Sequence, residues 1–225
     1  ILNGEIRPID GAPTGVTLSR PLEGVTIVEC AYYYATPFGT ALLAELGARV
    51  IKVEPLQGDP YRRLGVSEDP VKSLGHNNMA RAMQGKQSIC INMKDERGKK
   101  ILHQIISNAD MFIHNFREGV PEKLGIDEAT LRRINPGIVY EYGASYGSRG
   151  PYSRQPAIDP VIAAYAGTTA YQAGEGNEPL TERGADPVAG SSSAAAMMMG
   201  LFAKHRTGQG QYVEPAMIVS NIYLN

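Results

Sequence analysis

Short β-branched runs alternate with amphipathic stretches from residue 24 onward, and this alternation constrains the fold more than any other feature of the chain. GVTIVECA reads as a first strand. TPFGTALLAELG then carries apolar residues at helical spacing and closes on Gly47, a residue suited to the position just past a helix end. ARVIKVE reads as a second strand, and a helix between two strands is the crossover that a parallel sheet requires. SICINMK, DERGKKILHQIISN and ADMFIHNF give strand, helix and strand again, with acidic residues near the helix start where they complement its dipole. Asp127 is placed to cap the short helix of IDEATLRRIN, Pro136 bars its continuation, and GIVYEYGAS supplies the next strand. The expected fold is therefore α/β, a Rossmann-like, mostly parallel sheet with helices on both faces.

Between the second strand and SICINMK lies a polar, turn-rich excursion, LQGDPYRRLGVSEDPVKSLGHNN, of the length that often carries function in compact domains. Beyond residue 155, PAIDPVIAAYAGTTAY and SSSAAAMMMGLFAKH read as two closely packed helices rich in small residues, and QYVEPAM as a final strand. The Met run reads as core filler, not as a cofactor box.

With 225 residues and 43% hydrophobic content the chain can bury a substantial core, and its net charge of −1 carries no basic cluster, so neither nucleic acid nor an anionic membrane surface is an expected partner. No apolar run reaches the roughly 20 residues that span a bilayer, and ILNGEIRPID has neither part of a secretory signal, so a cytoplasmic location is expected. Cys30 and Cys90 fall in strand-like runs and read as reduced, buried thiols. The chain opens without Met on a Gly/Pro-containing segment and stops in SNIYLN within a helical stretch, so a piece of a longer polypeptide is expected, with residues 1–20 as an extension or linker.

The turn after the first strand, AYYYATPFG, has no G-x-G-x-x-G, so a Rossmann-like sheet here does not imply a dinucleotide. GQGQ at 208–211 precedes a strand and reads as a tight turn. There is no P-loop and no C-x-x-C, and His76, His103, His114 and His205 lack metal-ligand spacing, so no metal is expected. In RGADPVAGSSS a single acid, Asp186, stands ahead of the small-residue helix. It reads either as that helix's N-cap, with Pro187 at the first helical position, or as a reactive carboxylate held at its start.

Several segments in order, PLEGVTIVE, LLAELGARVIKVEP, GKQSICINMKDERGKKIL, NADMFIHNFREGVPEKLGID, INPGIVYEYGASYGSRGPY, GADPVAG and HRTGQGQ, resemble the family III CoA-transferases, a group that includes formyl-CoA and carnitine CoA-transferases and the related acyl-CoA racemases. The resemblance covers almost the whole chain. It implies that coenzyme A and acyl-CoA are substrates, with no tightly bound cofactor, and that a small carboxylic acid is the other partner. It implies that Asp186, four residues before Gly190, is the nucleophile, attacking a thioester to give an acyl-aspartyl anhydride and then an aspartyl-CoA thioester. Gly190 and its small neighbours are expected to leave room for that thioester, and the helix start to lower the aspartate pKa while its amides stabilise oxyanions.

Position by position, the resemblance places Tyr33, Tyr34 and Ala35 at the pantetheine and active-site contact. It places Ile91, Asn92, Met93 and Lys94 at the adenosine end, Asn115, Phe116 and Arg117 on the N-F motif, and Lys123 at a CoA phosphate. Asp159 stands where an acid recurs in the family. The residue before it, a histidine in racemases, is Ile158 here, so a transferase is favoured over a racemase or epimerase; a non-catalytic CoA-binding subunit is the reading from another class. The family fold is an interlocked homodimer completed by a smaller domain, so residues 21–225 are expected to form the Rossmann-like part. A partner chain or a downstream segment is expected to supply the small domain.

Overall fold

The computed structural model describes residues 20–63, 77–180 and 184–223. The expected extension over residues 1–20 falls, apart from Arg20, outside the described residues, as does most of the polar excursion, at 64–76. β1 (Thr26–Cys30), α1 (Ala35–Glu45) and β2 (Arg49–Glu54) follow the first strand-helix-strand reading, and Gly47 adopts φ 106 just past the helix end, a conformation glycine enters without steric cost. A 3-10 turn at Pro60–Arg63 and the helix α2 (Asn77–Met83) lead to β3 (Gln87–Cys90). α2 lies partly inside the stretch expected to be loop. α3 (Glu96–Ile106) opens on Asp95, whose carboxylate accepts the Arg97 N–H at 2.9 Å. β4 (Met111–His114), α4 (Val120–Leu124), α5 (Glu128–Ile134) and β5 (Val139–Tyr142) come next, with Asp127 Oδ1 accepting from Thr130 N at 2.9 Å as the N-cap expected of it.

The strand order is β3-β2-β1-β4-β5-β6, every pairing parallel, with β6 (Tyr212–Val213) at the far edge. The order reverses between β1 and β4, and in open parallel sheets the crevice at such a reversal, beyond the carboxyl ends of the strands, is where ligands bind. Two apolar layers sandwich the sheet. Leu102 and Ile106 of α3 and Leu131 of α5 pack with Val28, Phe112 and Tyr140 on one face. Leu43 and Ala44 of α1 pack on the other with Ile27, Met111, Val139, Ala194 and Met197.

Two details of the expected helices change. PAIDPVIAAYAGTTAY splits into α6 (Asp159–Tyr165) and α7 (Thr168–Ala173) at Gly167, whose φ of 83 breaks the helix. The Ala/Met helix α8 (Ala185–Thr207) starts six residues before the serine run and ends on Gly208 at φ 72, which makes GQGQ the expected turn. Residues 220–222 of SNIYLN belong to α9 (Met217–Ile222). Cys30 is buried, and burial pushes its thiol far up, but Cys90 is exposed, because β3 is an edge strand. Among the described residues no helix is long and apolar enough to cross a membrane.

Candidate active site

α1 and α8 pack side by side on one face of the sheet and both begin at its carboxyl rim. They approach closely because glycines meet. A Cβ on Gly190 would lie 2.5 Å from Ala35 O and 2.8 Å from the Phe38 ring, and one on Gly39 would lie 2.6 Å from Gly190 O. The space around Gly190 is thus taken by α1. The clearance expected there for a thioester is a helix contact instead, and Gly190 acts by letting the start of α8 seat against the start of α1.

Asp186 is the second residue of α8, half-buried, with Gly184 as the capping position and no cap from a local side chain. The reading of Asp186 as N-cap and Pro187 as first helical residue is corrected by this register. The cap comes from a distant segment: Asp159, 7% exposed at the start of α6, accepts the N–H of Gly184 at 3.2 Å through Oδ1 and that of Asp186 at 2.8 Å through Oδ2. Two amides at this helix start are therefore occupied and Pro187 has none, so fewer of them than expected can meet an oxyanion.

The turn between β1 and α1 faces the same place. Tyr34, buried at the N-cap position of α1, stacks on Phe38 at 5.3 Å; burial raises its hydroxyl, Arg81 opposes this and the Asp186 carboxylate adds to it, so all three groups share one electrostatic neighbourhood. Among the described residues no side chain accepts the N–H of Ala35 or Thr36 at the start of α1, where Pro37, like Pro187 in α8, has none to offer. Ala35 opens α1, and Tyr33, half exposed, takes φ 67, a left-handed conformation that costs a non-glycine residue on the order of 1 kcal/mol or more. Ile158, where a histidine would serve a racemase, is the exposed N-cap of α6.

The remaining expected contacts follow the carboxyl ends of β3 and β4. Asn115 bridges the reversal point: its Oδ1 accepts the Tyr32 N–H at 3.0 Å and its Nδ2 donates to Tyr32 O at 2.8 Å. Phe116 meets the Tyr32 ring edge-on at 5.5 Å, while Arg117 is exposed. In the segment after β3, Ile91 and Met93 are core residues, so only their backbone can meet a ligand; Asn92 and Lys94 are exposed. Gly98 lets α3 close on this segment, since a Cβ there would collide with the Asn92 carbonyl. Lys123, in the last turn of α4, is exposed. Among the described residues no group of three His, Cys, Asp or Glu side chains is placed to hold a metal.

A buried ion network beneath the β1–α1 turn has no counterpart in the sequence reading. Lys52 Nζ lies 2.7 Å from Glu29 Oε1 and 2.9 Å from Asp59 Oδ2, and Lys86 Nζ lies 2.6 Å from Glu29 Oε2. Charged residues inside strand-like runs, at Glu29 and Lys52, were its only signal.

Residues 22–224 match the profile of CoA-transferase family III. The chain belongs to that family. Among its relatives, an acetyl-CoA:oxalate CoA-transferase of Acetobacter aceti is 32% identical over 202 residues, covering 88% of this chain and 51% of that protein. A crystal structure of a hypothetical protein from Mycobacterium tuberculosis superposes with a TM-score of 0.82 at 29% identity, over 92% of this chain and 57% of that one. A CaiB/BaiF family protein from Brucella suis superposes with a TM-score of 0.80 at 30% identity, over 91% of this chain and 55% of that one. The chain spans about half the length of the curated relatives it matches.

Proposed function

We propose that this chain is the CoA-binding and catalytic part of a CoA-transferase that moves coenzyme A between an acyl-CoA and a small carboxylic acid, with Asp186 as nucleophile. The observation that carries the reading is the placement of Asp186: half-buried in the first turn of α8, its main chain fixed by Asp159, beside the turn that opens α1. A carboxylate held at a helix start stays ionised, and a half-buried one is stripped of part of its hydration, which a weak nucleophile needs.

In this reading Asp186 attacks the thioester carbonyl and expels CoA thiolate, leaving an acyl-aspartyl anhydride. The thiolate attacks the aspartyl carbonyl, releasing the donor acid and forming an aspartyl-CoA thioester; the acceptor carboxylate enters by the reverse steps. The oxyanion of each tetrahedral intermediate needs donors, and this reading assigns the Ala35 and Thr36 N–H groups at the start of α1 to it, since Asp159 takes those of Gly184 and Asp186. The pantetheine arm follows the Tyr33–Tyr34–Ala35 turn and the rim at Asn115–Phe116. The adenosine end reaches Asn92 and Lys94, where the lysine meets a phosphate, with Arg117 and Lys123 as further cations. Residues 21–225 form this Rossmann-like part, and the small domain comes from a downstream segment or from a partner chain in an interlocked homodimer.

The test uses the full-length protein with an acyl-CoA and hydroxylamine. Mass spectrometry is expected to find the hydroxamate on Asp186, and Asp186→Asn to abolish transfer while CoA still binds. An active enzyme whose Asp186 stays unmodified overturns the reading.

A further inference from the structure

The β1–α1 turn is the only part of the candidate site built on a strained non-glycine residue among those described, Tyr33 at φ 67. Something has to hold it there, and the buried charges beneath it make direct bonds to its backbone. Asp59, fully buried, accepts the Tyr33 N–H at 3.2 Å and the Tyr61 N–H at 2.9 Å through the same Oδ1. Its other oxygen meets Lys52 Nζ at 2.9 Å, and Lys52 also donates to the Ala31 carbonyl at 2.6 Å. Further along, Lys86 donates to the Pro37 carbonyl at 2.6 Å, and both lysines close on Glu29, which also accepts from Thr40 of α1. The turn from Ala31 to Pro37 is thus fastened at three backbone points by one network of two cations and two anions.

Asp59 is itself aimed from a second layer. Its N–H donates to Glu54 Oε2 at 2.8 Å, and Glu54 is clamped by Arg62 at 2.6 and 2.7 Å and by Ser88 at 2.6 Å. The Arg62 hydrogen bonds first, then that of Ser88 and the Asp59 N–H, outweigh burial and hold the Glu54 carboxyl at about 2. Lys52 is kept charged as well: burial works against its charge, but Glu29 and then Asp59 outweigh it. A buried ion set of this kind is costly to desolvate and poor evidence of stability alone, so its bonds to one turn are the more telling feature.

We propose that Asp59, seated on Lys52, is a positioning residue for the candidate site: its Oδ1 fixes the left-handed Tyr33 and so sets Tyr34 and the uncapped start of α1 beside Asp186. The inference rests on the transferase reading. It identifies the acceptor geometry at Asp59 Oδ1, more than its charge, as what the reaction needs, because a misplacement of about 1 Å at a reacting group can cost a hundredfold in rate.

The experiment compares Asp59→Asn, Asp59→Glu and Asp59→Ala in the full-length protein, reading kcat, KM for acyl-CoA and Tm. Asn keeps an acceptor oxygen in place but leaves Lys52 short of an anion, so Asp59→Asn is expected to lower Tm yet hold kcat within about threefold of wild type. Glu keeps the charge but moves the oxygens by one methylene, so Asp59→Glu is expected to lower kcat by about a hundredfold with a smaller change in KM. Asp59→Ala, where it folds, is expected to follow Glu. Activities that track Tm across the variants, or a fully active Asp59→Glu, overturn the proposal. A wild-type protein that neither transfers CoA nor labels at Asp186 overturns the transferase reading instead.

Discussion

The Asp159 carboxylate receives the backbone N–H of Asp186 at 2.8 Å, across 27 residues of chain, and with the Gly184 N–H at 3.2 Å it does for α8 what a local Ser or Asp does for most helices. Asp159→Ala leaves both amides without that acceptor and is expected to cost about 1–2 kcal/mol, the usual cost of a lost cap. Asp159→Asn retains an acceptor and is expected to recover at least half of it. Urea unfolding of the three proteins measures this, and equal stability of Ala and wild type would show that Asp159 does not cap α8.

Gly190 provides a sharper contrast between packing and clearance. Since its missing Cβ would meet the Ala35 carbonyl at 2.5 Å and the Phe38 ring at 2.8 Å, Gly190→Ala must part α1 from α8, at about 1–3 kcal/mol as for other overpacked sites. Ser191→Ala, at an exposed neighbour, serves as the control and is expected to change stability little. A stable Gly190→Ala protein with impaired turnover alone would restore the clearance reading.

His114, at the carboxyl end of β4, gives a pH dependence of defined sign. Its Nδ1 accepts the Phe116 N–H at 3.2 Å, so the ring proton is on Nε2 and donates to the Tyr140 hydroxyl at 2.8 Å, which in turn donates to Ile126 O at 3.1 Å. Burial lowers the imidazole from 6.5 to about 3. The unfolded chain therefore takes up a proton that the folded chain refuses, and stability is lost as pH falls from 6.5 towards 3, by about 2 kcal/mol at about pH 5. His114→Gln removes this contribution. Unfolding free energies at pH 7 and about pH 5 should differ less in the variant than in wild type, and an unchanged difference refutes the assignment.

The strand and helix pattern was legible because periodicity is local: β1 to β5 and α1, α3 and α5 fall where alternation and caps put them. What was not legible depends on contacts between distant segments. Asp186 looked like a cap because nothing in RGADPVAG announces that Asp159 will arrive from α6. Gly190 looked like open space because the residue that fills it, Ala35, belongs to another helix. Cys90 looked buried because alternation does not say which strand is the edge. Glu29, Lys52 and Glu141 lie in strand runs, where no local signal distinguishes a charge paired in the core from one facing water.

Glu141 illustrates that last point and invites its own test. It lies fully buried on β5, in register with Ile113, which is itself in register with Glu29, yet the network of lysines around Glu29 does not extend to it. Its Oε1 accepts from Ser193 of α8, and its Oε2 has no hydrogen-bond partner among the described residues. Burial pushes its carboxyl well above the usual range, with the Ser193 hydroxyl only partly opposing. The folded protein thus holds a proton that the unfolded chain releases above the ordinary carboxylate range, so Glu141 costs stability increasingly as pH rises above 4.5. Glutamine matches the shape of the protonated acid and cannot ionise. Glu141→Gln is expected to be at least as stable as wild type at pH 7, and its advantage to widen as pH rises above 4.5. Thermal unfolding across that range decides the matter: an advantage that stays flat or reverses with rising pH would mean that Glu141 is ionised in the folded protein.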